Sequence, residues 1–177
     1  MTLKTAAELI TVDTISHAMS ECGLGQVLVA RSASGVCAIL IGANNDELVA
    51  DLAARFPEAK LVANVAIVQD DLAKVTRFID QPGKGLDLPL DLRGTPFQRR
   101  VWETLRTIPV GTTITYAELA RSIGAPNSVR AVAGACASNP AALAVPCHRV
   151  VASNGDLGGY YWGVERKREL IEKEAMA

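Results

Sequence analysis

The sequence has few of the residues that build disulfide or metal frameworks. Its four cysteines stand at irregular spacings without a C-x-x-C pair, and it has only two histidines. Neither a disulfide framework nor a zinc site therefore has enough ligands in a recognisable pattern. We expect no metal and no organic cofactor, and we expect any functional cysteine to act as a thiol.

Long hydrophobic runs are also lacking. The longest uninterrupted stretch of apolar or small residues, Gly35 to Ala43, is about half of the ~20 residues that a membrane-spanning helix needs. The N-terminus has neither the charged start nor the apolar run of a signal peptide. A hydrophobic content of 49% still supplies a core and excludes wholesale disorder. We expect a soluble, monomeric, cytoplasmic protein.

Acidic side chains are absent from Leu119 to Gly155, a stretch that contains Arg121, Arg130 and Arg149. The formal charge is −4 over residues 1–90 and +3 over residues 91–177. Arginines without counter-charges suit an anionic partner such as DNA phosphate. A solvated arginine face is the alternative interpretation.

The first half of the chain is expected to form an antiparallel meander of strands followed by helices. Its predicted elements are strands over 14–20, 26–31 and 36–41, a helix that begins after residues 44–46 and ends before Pro57, and a helix over 66–79. The segment 80–89 has two prolines and two glycines, which is typical of a linker, and we place a domain boundary there.

The second half is expected to be mainly helical. Thr95 caps a predicted helix over 96–107, and helices over 116–123 and 127–138 form a helix-turn-helix pattern. After Arg130 the last of these carries only small side chains, which cannot read base edges but allow close approach to a narrow groove or to a neighbouring helix. Arg130 could then enter the base stack in place of a flipped nucleotide.

A compact reactive motif follows, in which Cys147 stands directly before His148 and Arg149 within an apolar stretch, 145–151. The thiolate is the reactive form of cysteine, and nearby positive charge favours it. An inert buried cysteine and the nucleophile of a cysteine hydrolase are the alternatives.

This motif resembles the active-site signature of the O6-alkylguanine-DNA alkyltransferases. The resemblance rests on these segments of the sequence: 95–98, Tyr116, 130–132, 139–140, 146–150 and 158–160. It is close over residues 91–174, and Tyr160 to Gly163 together with the 87–93 stretch are most similar to the bacterial adaptive-response members. For those members the resemblance implies a further N-terminal regulatory domain outside this sequence.

The resemblance implies an α/β protein of two domains. Residues 1–85 would form a small RNase H-like structural domain of strands and helices. Residues 90–177 would form a mainly helical, winged-helix-like domain that binds double-stranded DNA and holds the active site.

The resemblance also implies the catalytic roles. Cys147 would accept the alkyl group from guanine O6, and more weakly from O4-methylthymine, irreversibly and once per molecule. His148 would remove the thiol proton through a water, and Glu174 would orient His148. Tyr116 would assist the leaving guanine, and Lys167 would assist the thiolate.

Binding roles follow from the same resemblance. Arg130 would fill the gap left by the flipped base, and Asn139 would brace the helix pair against the active-site turn. The implied DNA-contact residues are Tyr116, Arg130, Ala131, Ala135 and Asn139, and the implied pocket residues are Val150, Tyr160, Tyr161 and Trp162. Bulky Tyr161 and Trp162 stand where vertebrate members have smaller residues. We therefore expect Trp162 to narrow the cavity and disfavour benzyl-sized adducts.

Ordinary structural roles remain open for several of these residues. Tyr116 could be a helix-terminal aromatic, and Lys167 and Glu174 could be exposed charges on a charged helix. Cys136 is expected to pack between helices. A non-catalytic sensor of alkylated DNA is the leading alternative function, but binding alone does not need an activated thiol.

Overall fold

A computed structural model describes residues 12–177 and shows a mixed α/β architecture. Its elements, in chain order, are β1 (Thr14–Cys22), β2 (Gly25–Arg31), β3 (Val36–Gly42), α1 (Asn45–Arg55), β4 (Lys60–Ala63), α2 (Val65–Asp80), α3 (Pro96–Leu105), β5 (Ile114–Thr115), α4 (Tyr116–Ser122), α5 (Val129–Ala137), β6 (Val150–Val151) and α6 (Val164–Ala175). The first eleven residues of the predicted N-terminal domain lie outside the described part.

A four-stranded sheet in the order β3-β2-β1-β4 organises the first half. The predicted antiparallel meander is confirmed, because β2 pairs antiparallel with both β1 and β3. The sequence did not indicate β4, which pairs parallel with β1. This edge strand has only four residues, none of them fully buried, so it lacks the alternation that marks a strand.

Side chains cap the starts of α3 and α4. The Thr95 side chain accepts from the backbone of Gln98, whose side chain reciprocates, and this capping box begins α3. Thr115 and Glu118 form the same motif at the start of α4. Helix α5 begins at Val129, two residues later than expected, without a side-chain cap at Ser128.

One hydrophobic core joins the two halves of the chain and fixes the position of the reactive motif. The free edge of β3 is hydrogen-bonded to the segment just before Cys147. The Ile39 amide donates to Pro140 O at 3.0 Å, and the Ala142 amide donates to Ile39 O at 3.0 Å. The sheet is therefore hydrogen-bonded directly to the loop that presents the cysteine.

The predicted linker lies between the halves as irregular chain with one short 3-10 turn, Pro82–Lys84. Its last residue is hydrogen-bonded to the sheet, since the Val36 amide donates to Pro89 O at 2.8 Å. Within residues 12–177, no helix has the length and apolar character that a membrane crossing requires.

Candidate active site

The Cys147 turn is held by a buried asparagine. Cys147 begins a 3-10 turn that ends at Arg149, and its side chain is almost fully buried. Asn139 Nδ2 donates to Val145 O at 2.7 Å and lies 3.2 Å from Cys147 Sγ, while Asn139 Oδ1 accepts from the Ala141 amide at 2.9 Å. Asn139 thus fixes the loop on both sides and offers a hydrogen-bond donor to the sulfur.

Helix α6 places a carboxylate behind this turn. Glu174 Oε1 lies 2.6 Å from His148 Nε2, and Arg149 donates to both carboxylate oxygens of Glu174 at 2.8 Å. Arg149 also donates to Ile108 O at 2.6 Å. All three side chains are buried, so the network is a charge-assisted cluster in which each partner restrains the others.

The pKa shifts of Glu174 and His148 indicate which groups of this network carry protons. Burial opposes ionisation of Glu174, but hydrogen bonds from His148 and Arg149 outweigh it and lower its pKa to about 2. Burial also lowers the pKa of His148 below its usual 6.5. The imidazole is therefore neutral at neutral pH with its proton on Nε2, facing the carboxylate. Its Nδ1, buried and without a hydrogen-bond partner among the described residues, is then a free base.

The resting form of Cys147 is the thiol. Burial raises its pKa to about 11, although the Asn139 hydrogen bond and the Lys167 charge act in the opposite direction. Since only the thiolate is a strong nucleophile, this cysteine needs a base to react at neutral pH.

Lys167 lies inside the site. It is fully buried, and its Nζ donates to Val150 O at 2.6 Å and to Gly159 O at 3.0 Å. The ammonium also stands 5.7 Å from the ring centroid of Tyr116, and its burial lowers the pKa of Lys167. The alternative interpretation of Lys167 and Glu174 as exposed charges is wrong.

A cavity of about 430 Å³ opens onto Cys147, a volume in the range of small-ligand pockets. Its walls are formed by Tyr116, Ala133, Cys136, Ala137, Cys147, Gly159, Tyr160 and Tyr161. Gly158 has a φ of +76°, and a Cβ there would stand 3.0 Å from the Tyr116 ring. Glycine at this position therefore lets the Tyr116 side chain pack closely at the pocket wall.

Four pocket residues were not foreseen: Ala133, Cys136, Ala137 and Gly159. Ala133, Cys136 and Ala137 lie three and four residues apart on α5, so they share one face of the helix. This spacing was readable in the sequence. Cys136 is buried, as a helix-packing residue would be, and burial raises its pKa to about 12. It therefore contributes apolar thiol surface to the pocket.

Trp162 and Val150 were predicted to line the pocket, but both lie behind its lining residues. Trp162 is buried. Its ring centroid lies 5.3 Å from that of Tyr160 and 5.4 Å from that of Tyr161, in edge-to-face contacts. It therefore supports the lining tyrosines and does not itself narrow the cavity. Val150 is likewise buried and contributes the carbonyl that holds Lys167.

Some of the predicted DNA-contact residues are exposed to solvent, and others are buried. Arg130 and Ala131 are exposed on α5, and the half-buried Tyr116 lines the pocket. Ala135 and Asn139 are buried, so their assignment as contacts is corrected. Ala135 faces the core, where its carbonyl accepts from Trp102 Nε1 at 2.8 Å. Asn139 is used inside the active-site loop.

The arginine cluster is smaller than the sequence indicated. Arg121 and Arg130 are exposed, but Arg149 is buried against Glu174. The exposed residues of α5 are Val129, Arg130, Ala131, Gly134 and Ala137. One long cation followed by small side chains therefore leads along α5 to the pocket, which Ala137 lines.

Known proteins are similar to this chain in sequence and fold. Residues 96–176 match the family model of the 6-O-methylguanine DNA methyltransferase, DNA binding domain. The Escherichia coli bifunctional transcriptional activator/DNA repair enzyme Ada is 47% identical over 161 residues, which is 91% of this chain and 46% of that protein. The chain thus spans about half the length of this curated relative.

Solved structures match over nearly the whole chain. The Mycobacterium tuberculosis O6-methylguanine methyltransferase superimposes with a TM-score of 0.72 at 33% identity, covering 92% of this chain and 93% of that one. The OGT of the same organism in complex with DNA matches with a TM-score of 0.68 at 32% identity, covering 92% and 93% of the two chains. This chain belongs to the O6-methylguanine-DNA methyltransferase family.

Proposed function

We propose that this protein repairs O6-methylguanine, and more weakly O4-methylthymine, in double-stranded DNA by irreversible transfer of the methyl group to Cys147. The observation that carries the proposal is that the Cys147 side chain lines the pocket while the next residue, His148, is held by Glu174 in a buried pair. The name of the matched family agrees with this chemistry.

The transfer step needs a base for the thiol and a proton for the leaving group. His148 Nδ1 takes the thiol proton through one water, and Glu174 stabilises the resulting imidazolium. The sulfur attacks the methyl carbon, the S–C bond forms, and the C–O6 bond gives its electron pair to guanine. Tyr116 donates a hydrogen bond to the leaving base, which then takes a proton from solvent water, and the His148 imidazolium returns the thiol proton to solvent. The Lys167 ammonium stabilises the thiolate. The thioether product has no acid–base route back, so each molecule acts once.

DNA would bind along the exposed face of α5. Its small side chains allow close approach to a groove, while Arg130 occupies the space of the flipped base. In this proposal α4 and α5 form the helix-turn-helix of a winged-helix-like domain, residues 90–177. Residues 1–85 form an RNase H-like domain. The exposure of Arg130 and Ala131 supports this binding mode.

Stoichiometry tests the proposal. With excess duplex carrying one O6-methylguanine, methyl transfer should rise to one group per chain and stop. Tight binding of the duplex without transfer would favour the sensor alternative. Continued turnover of acyl substrates would favour a cysteine hydrolase.

Methyl adducts should react faster than benzyl adducts. Tyr160 and Tyr161, supported from behind by Trp162, form an aromatic wall of the pocket, which leaves less room for a benzyl group. The rate of inactivation by the free base O6-benzylguanine, compared with methyl transfer from DNA, measures this preference. Rapid inactivation by the free base would contradict it.

A further inference from the structure

One residue of the pocket wall is held from the other half of the chain. Tyr161 lines the cavity although 53% of its surface is exposed. Its hydroxyl donates to Asp51 Oδ2 at 3.2 Å, and the Arg55 guanidinium stands 4.9 Å from the centroid of its ring. Asp51 and Arg55 both lie on α1, more than a hundred residues away in sequence.

The two α1 residues are also bonded to each other. Arg55 Nε donates to Asp51 Oδ1 at 3.0 Å, and both side chains are largely shielded, with exposures of 18% and 22%. The ion pair, the hydroxyl hydrogen bond and the cation–π contact therefore close a triangle around Tyr161. Each contact restricts the rotamers that the other two allow.

The backbone beside Tyr161 is anchored separately. Arg166 donates through Nη1 to Trp162 O at 2.9 Å and through Nε to Leu24 O, in the turn between β1 and β2, at 2.7 Å. Since these bonds fix the next residue, the contacts from α1 act mainly on the Tyr161 side chain. Solvent lies on the outer side of this ring, so a ring released from α1 can swing away from the cavity.

We propose that Asp51 and Arg55 are positioning residues that hold Tyr161 as a pocket wall and thereby limit the size of the alkyl group that reaches Cys147. The inference rests on the proposed function and deepens it, because it assigns adduct selectivity to a helix remote from the reactive motif. A purely structural role for the three contacts, joining the two halves, is the competing explanation.

The test compares rate constants for transfer from two duplexes, one with O6-methylguanine and one with O6-benzylguanine. Asp51→Ala and Arg55→Ala should each raise the benzyl-to-methyl rate ratio about fivefold, the effect expected from losing an ion pair together with an aromatic contact. Asp51→Asn keeps an acceptor for the Tyr161 hydroxyl and should restore the ratio in part. The matched control is Glu47→Ala, which removes an exposed carboxylate one turn earlier on α1 and should leave the ratio unchanged.

The outcomes separate the two proposals. A lower melting temperature with a wild-type ratio in Asp51→Ala and Arg55→Ala would show a structural contact and overturn the inference alone. No methyl transfer by the wild-type protein would overturn the proposed function, and the inference with it. A raised ratio in both variants, absent in Glu47→Ala, is the result that the inference predicts.

Discussion

Replacing His148 with alanine should slow methyl transfer roughly 10³-fold at neutral pH, the usual contribution of a positioned general base. Burial holds the pKa of Cys147 at about 11, so the sulfur is almost entirely protonated near pH 7. Without Nδ1 as the acceptor, the proton must leave to solvent. Single-turnover rates with a duplex carrying O6-methylguanine measure the loss.

The pH dependence of the methyl-transfer rate shows whether His148 acts as the base. In the wild type the proton passes from the thiol to His148, whose pKa lies below 6.5, so the rate should be flat at neutral and mildly alkaline pH and fall in acid. In His148→Ala it should rise about tenfold per pH unit towards the thiol pKa. Parallel profiles for the two proteins would contradict a base role for His148. Unchanged DNA affinity of the variant is the control for folding.

Replacing Glu174 with glutamine should cost about 3 kcal/mol of folding free energy, a typical value for breaking a buried ion pair. Arg149 would lose a carboxylate that it contacts twice at 2.8 Å, and it would stay buried without a counter-charge. Methyl transfer should slow as well, because His148 loses the partner that fixes its tautomer. Chemical denaturation gives the free energy of unfolding.

The difference in folding free energy between wild type and Glu174→Gln should disappear at acidic pH. The pKa of Glu174 is lowered from 4.5 to about 2 in the folded protein, so its contribution to stability is complete above about pH 4.5 and is lost as the pH falls towards 2. Wild type and Glu174→Gln should therefore converge in stability over that range. Glu172→Gln, an exposed position on the same helix, should match the wild type throughout. A constant gap down to pH 2 would contradict the ion-pair account.

Local signals in the sequence predicted much of the fold. Strands β1 to β3 have apolar patterns and a clear turn between β2 and β3, and Thr95 is a recognisable cap. The short strands β4, β5 and β6 depend on pairing with distant chain, and so does the contact of β3 with the segment before Cys147. Such pairings leave no local pattern to read.

The active site also combines residues that the sequence reveals with residues that only the folded chain brings together. Cys147 and His148 stand together in the sequence, and their chemistry is visible there. Glu174 and Lys167 look like ordinary surface charges on α6, and only the family resemblance selected them. Their burial depends on how α6 packs against the Cys147 turn. Asp51 and Arg55 show a helical i, i+4 pair in the sequence, but nothing there indicates Tyr161 as their partner.

The proposed function requires the Cys147 sulfur to be the atom that receives the methyl group. Intact-protein and peptide mass spectrometry after incubation with a duplex carrying one O6-methylguanine locates this methyl group, with Cys147→Ala and Cys136→Ala as controls. We expect a gain of one methylene mass on the peptide that contains Cys147, retained in Cys136→Ala and absent in Cys147→Ala. No gain in mass despite tight binding of the duplex, or methylation at Cys136 instead, would contradict it.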